Sequence, residues 1–126
     1  MIERAVLSLL SAAGDLTALV DTRIYSFIPQ KPTYPYVSYS VDEGTEDSSF
    51  DGQGTLQEID LEVDAWATSH SGLPALAAAA KAALKNYSGT VEGIIIDQIR
   101  IDGVVTVYEE HVKAYRRTIT ATIFKR

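Results

Sequence analysis

The 126-residue sequence contains no cysteine, which excludes disulfides, thiolate metal sites and a thiol nucleophile and leaves packing as the source of stability. It lacks any apolar run near the roughly 20 residues of a membrane-spanning helix, so no membrane partner is expected. Basic residues are the minority: 11 Lys and Arg stand against 17 Asp and Glu, for a net charge of -6. That is the wrong sign for gripping phosphate backbones. DNA is therefore expected only in passive contact. Walker and H-x-x-x-H patterns are also missing.

What remains is ordinary globular material, 46% hydrophobic and 22% charged. Residues 1–126 are expected to fold as one soluble, cytoplasmic domain. Arg4 and the apolar residues after it faintly suggest a secretory start, but Glu3 cancels Arg4 and the spacing favours an amphipathic helix. Ile2, Val6, Leu9, Leu10 and Ala13 mark that helix, with Gly14 as its stop. Asp15 is expected to cap a short further turn carrying Leu16, Leu19 and Val20. An extended Arg23-Ile24-Tyr25 and a stiff connection through Pro29, Pro32 and Pro35 follow.

Period-two alternation then predicts strands. Val37, Tyr39 and Val41 alternate with Tyr36, Ser38 and Ser40. Ile59, Leu61, Val63, Ala65 and Ala67 alternate with Glu58, Asp60, Glu62, Asp64 and Trp66. Leu73, Leu76, Ala77, Ala80, Leu84 and Tyr87 mark a second helix, with Pro74 in its first turn. Strands are expected over Ile94–Ile101 and Val104–Tyr108, joined by a tight Asp102-Gly103 turn. A last strand runs from about Val112 to Phe124. The order predicts an α+β fold: one mainly antiparallel sheet with two helices packed on one face.

The chemistry-bearing residues are sparse. His70 and His111 lie far apart, Ser69-His70-Ser71 has no G-x-S-x-G elbow, and Gly52-Gln53-Gly54 lacks the third glycine of a phosphate cradle. No catalytic residue, metal or cofactor is expected. A small hydrolase using His111 with one acid is the rival from another class. The acid ladder Glu58, Asp60, Glu62 and Asp64 puts its carboxylates on one sheet face at intervals of about 7 Å. It reads either as a solvated face or as a surface that keeps something negative from sticking. Asp42 to Thr55 is long for a connection and rich in acids and glycine. Asp42, Glu43, Glu46, Asp47, Phe50 and Asp51 make it a candidate docking loop. Ala75, Ala78, Ala79, Ala82 and Ala83 give the second helix an outer side of small residues, from helix propensity or to meet a neighbouring subunit.

Several pieces recur in a familiar order: the N-terminal helix, Leu19 before Arg23-Ile24-Tyr25, Pro29-Gln30, and Pro35-Tyr36-Val37-Ser38-Tyr39. Glu62-Val63-Asp64-Ala65-Trp66-Ala67-Thr68-Ser69, the helix ending near Leu84, and Tyr115-Arg116-Arg117 complete it. In this order and spacing the chain resembles the tail completion, or tail terminator, proteins of long-tailed bacteriophages and prophage-like particles. The resemblance implies a ring, commonly a hexamer, that caps the head-proximal end of the tail tube and ends its growth. It implies as partners further copies of the chain, the major tail tube protein and the head-tail connector or head completion protein, with DNA only as passing cargo. The place of action would be the host cytoplasm during assembly and then the head-tail junction of the virion. The alternative within the same class is another neck component, such as a stopper, or a minor tail protein.

Overall fold

The computed structural model describes residues 2–42 and 57–126. Helix α1 (Ile2–Ser11) buries Ile2, Ala5, Val6 and Leu10, the spacing of one helical face. A second helix, α2 (Gly14–Val20), stands where a short turn was expected, and it buries Leu16 and Val20. Gly14 is thus not a stop but the first residue of α2. Asp15 does not cap it: the N-cap is Ala13, which makes no side-chain cap bond, and Asp15 sits in the first turn, where its charge suits the positive helix end. The left-handed residue that ends this helical pair is Asp21, with φ 56.

The strands are β1 (Ile24–Tyr25), β2 (Tyr36–Asp42), β3 (Gln57–Ala67), β4 (Gly89–Val91), β5 (Ile94–Glu109) and β6 (Ala114–Lys125). A 3-10 turn, His70–Gly72, leads into helix α3 (Leu73–Leu84). The strands form one sheet in the order β1-β2-β3-β6-β5-β4, antiparallel throughout except for the β1–β2 pair. This is the expected α+β architecture, with α2 as an additional helix.

The expected turn at Asp102-Gly103 is a correction. Strand β5 passes straight through it, and the register against β6 shifts between Ile101 and Gly103. Asp102 is the extra residue of a β-bulge. Asp-Gly suits a bulge as well as a turn, and the unbroken β6 alongside supplies a ladder that rewards continuing. The true tight turn joins β4 to β5 at Glu92-Gly93, where φ is 50 and 78, the left-handed pair of a type I′ hairpin. A second shift, between Ile96 and Gln98, releases Asp97 to meet Arg126 at 3.0 Å.

One face of the sheet carries Val37, Tyr39, Ile59, Leu61, Val63, Ala65, Ile119, Ala121 and Ile123, all buried in a core shared with the three helices. Leu73, Leu76, Ala77, Ala80 and Leu84 of α3 enter that core as expected, and Ala79 joins them. An open groove of about 470 Å³ runs between Ala12, Ala13 and Gly14 of the α1–α2 connection and Ala79, Ala82 and Ala83 of α3. Among the described residues no helix packs on the opposite sheet face, which carries the polar alternates.

Candidate functional site

Backbone pairing places the acid ladder between two hydroxyl rows. On one side Asp60, Glu62 and Asp64 face Asp42, Ser40 and Ser38 of β2; on the other they face Thr122, Thr120 and Thr118 of β6. Glu58 faces Phe124. The four carboxylates share the helix-free face, but they are not equivalent. Glu58 and Asp60 are exposed, Glu62 is half-buried, and Asp64 is only 8% exposed.

Burial pushes the Asp64 carboxyl up to about 6, and the negative charge of Glu62 adds to this. The hydrogen bond donated by Thr118 Oγ1 and the Arg116 guanidinium, 3.7 Å away, pull in the other direction without overcoming desolvation. Desolvation therefore wins at Asp64.

Beside Asp64 lies an aromatic and cationic cluster. Trp66 and Tyr36 are directly opposite on β3 and β2, with ring centroids 5.6 Å apart and planes 7° from parallel. Trp66 Nε1 donates to Ser38 Oγ at 3.1 Å. The Arg116 guanidinium lies 5.8 Å from the Trp66 ring centroid, donates from Nε to Glu109 Oε2 at 2.8 Å and from Nη1 to Thr118 Oγ1 at 3.1 Å. Tyr25 and Tyr34 flank Tyr36. Burial, then the neighbouring Tyr34, raises the Tyr36 hydroxyl to about 12.

The bulge adds a further acid to this face. Asp102 accepts from Thr122 Oγ1 at 2.6 Å and from Arg100 Nε at 2.7 Å, and these bonds lower its pKa, Thr122 having the larger effect. With Asp42, Asp60 and Glu62 it lines a shallow depression of about 330 Å³. No group of three or more His, Asp or Glu among the described residues has the arrangement to hold a metal ion.

His70 stays apart from this face, and His111 reaches only its margin. His70 packs edge-on against Tyr115, ring centroids 5.3 Å apart. His111 sits at the β5–β6 turn, its side chain 74% exposed and 3.9 Å from a Glu109 carboxylate that Arg116 already engages. Of the candidate docking loop, Asp42 ends β2 opposite Asp60; Glu43, Glu46, Asp47, Phe50 and Asp51 lie outside the described residues. Arg116, Glu109 and Asp102 were not singled out from sequence as members of this face. The one available signal was alternation, since Arg116 continues the Thr118, Thr120, Thr122 series.

Two edges of the sheet carry contiguous exposed apolar residues. At the β5 edge these are Val104, Val105, Val107 and Tyr108, with Val105 61% exposed; past β1 they are Phe27 and Ile28, each 61% exposed.

The sequence matches the family model of Tail completion protein gp17 over residues 4–124. No curated protein matches it. Three chains of solved structures match. One, from a structure described as the virion of the native gene transfer agent (GTA) particle, aligns with a TM-score of 0.77 at 21% identity. The alignment covers 98% of this chain and 93% of that one.

Proposed function

We propose, given that this chain belongs to the Tail completion protein gp17 family, that it assembles as a ring on the head-proximal end of a phage-type tail tube. The ring stops tube growth and presents the surface to which the head is joined. As a member of a tail completion family the chain is a structural constituent of a phage-type virion, and the ring is the finer reading. The observation that carries it is the reach of the match, residues 4–124 of 126, which takes in every strand but the last residue of β6 and leaves little of the chain for another task.

In this reading residues 1–126 act as one tail-terminator-like domain and close into a hexamer between the tube protein and the head connector. The sheet supports the reading in two ways. Its faces differ, helices on one and acids on the other, which suits a ring whose inner and outer surfaces are unlike. An acidic lining repels phosphates within a Debye length of roughly 8 Å, so DNA passes without sticking. Glu58, Asp60 and Glu62 supply that lining at the surface, and Asp64 stands behind them. The segment from Asp42 to Thr55 is the proposed contact with the tube.

Particles assembled without this chain test the reading. Electron microscopy should show unjoined heads and tubes of uneven length, and supplying the chain should restore joined particles. Normal tails in its absence would overturn the proposal, and binding to filled heads in place of tubes would assign the chain to the head side of the neck.

A further inference from the structure

The two apolar edge patches lie at the same level of the sheet. Val105 pairs with Thr118, Thr118 with Asp64, Asp64 with Ser38, and Ser38 with Tyr25, so one row of partners crosses five strands from edge to edge. Phe27 packs its ring 5.5 Å from that of Tyr25. The β5 patch and the Phe27–Ile28 patch therefore bracket one row.

Strand β5 is also an edge left open. The short β4 pairs only with Ile94 to Ile96 of β5. From there to Glu109 the outer backbone of β5 has no strand beside it among the described residues. Val104 and Tyr108 pair with Ile119 and Tyr115 on the helix side, while Val105 and Val107 pair with Thr118 and Arg116 on the other. Both sides of this stretch are thus apolar and exposed. Edges are commonly blunted with lysine, proline, an inward charge or a bulge; the bulge at Asp102 ends just before this stretch, and Gly103-Val104-Val105-Thr106-Val107-Tyr108 itself contains no lysine, proline or charge. The free charges are complementary too. Asp97, Asp102 and Glu109 are paired within the chain with Arg126, Arg100 and Arg116, which leaves the exposed Glu110 beyond Tyr108 on one edge and the exposed Lys31 beyond Ile28 on the other.

We infer that the β5 edge at Val104–Tyr108 receives the Phe27–Ile28 edge of a second copy of this chain, and that this contact is the repeating joint of the ring. The inference rests on the ring reading above and specifies its interface. Different patches on opposite edges make a head-to-tail contact, the kind that forms a ring when its rotation closes and a filament when it does not, and the ring reading takes the closed case. The arrangement also sets the orientation of each subunit. With the edges joined around the circumference, the two sheet faces point inward and outward, and the acidic lining proposed above turns the ladder toward the channel and the helices out.

The absence of native cysteine makes the test direct. The double variant Phe27→Cys, Val105→Cys, both sites exposed, is bound to purified tail tubes and treated with a short thiol-specific crosslinker, beside each single variant. The expected result is a ladder of covalent multimers ending in a closed species from the double variant, and monomer from each single variant. Dimers from Val105→Cys alone would show that like edges meet and would overturn the inference. An uncrosslinked double variant that still forms rings on tubes by electron microscopy would also overturn it while leaving the ring standing. Wild-type tubes without rings would remove the ring reading itself.

Discussion

Tyr36 and Trp66 stack almost in parallel across the β2–β3 pair, centroids 5.6 Å apart, and both are nearly fully buried on the sheet face that no described helix covers. Their own rings, with Ala114 beneath and Arg116 beside, form a second small core. This is why a strand that reads as acidic on one side ends in a tryptophan on that side. Trp66→Ala is expected to cost about 3–5 kcal/mol in urea unfolding, the range for emptying a buried aromatic site. A midpoint within error of wild type would contradict this packing.

Asp64 makes stability depend on pH. Its carboxyl titrates near 6 in the folded chain and near 3.9 when unfolded, so the folded state holds the proton more tightly. The resulting stabilisation is complete below about pH 4 and is lost as pH rises through 6, a swing of roughly 2–3 kcal/mol. Asp64→Asn keeps an acceptor for Thr118 and removes the titration. Unfolding free energies measured from pH 4 to 8 should therefore fall for wild type relative to the variant. Parallel profiles would exclude a protonated Asp64.

The Glu92-Gly93 turn needs left-handed backbone at both positions. Gly93→Val places a β-branched side chain at φ 78 and is expected to lose about 1–2 kcal/mol by thermal or urea unfolding, although nothing crowds the site. An unchanged stability would mean that the turn is not of this type.

The alternating strands and amphipathic helices were legible because burial repeats at fixed periods: Ile59 to Ala67 and Leu73 to Leu84 stand where their spacing put them. Asp102-Gly103 misled because local turn chemistry permits two outcomes, and the pairing partner β6, distant from it at Thr120 to Thr122, chose the bulge. The acid ladder was visible as a row of carboxylates. Its uneven burial was not, because the groups that cover Asp64 come from β2 and β6: Ser38, Arg116 and Thr118. Arg116 and Glu109 are neighbours only through the β5–β6 hairpin, a relation that no local pattern in the sequence records.

Charge reversal tests the proposed channel lining. Glu58→Lys, Asp60→Lys and Glu62→Lys together spare Asp64, where a buried lysine would threaten the fold. The triple variant should form rings and joined particles but deliver DNA more slowly, with infectivity falling at least tenfold. Wild-type infectivity would count against an acidic lining.

The most direct measurement is cryo-electron microscopy of purified tail tubes after addition of this chain. The account predicts density at one end only, as a closed ring, with the helices outward and the acidic sheet face toward the axis. Chains spread along the tube wall, or tubes left bare at both ends, would contradict it.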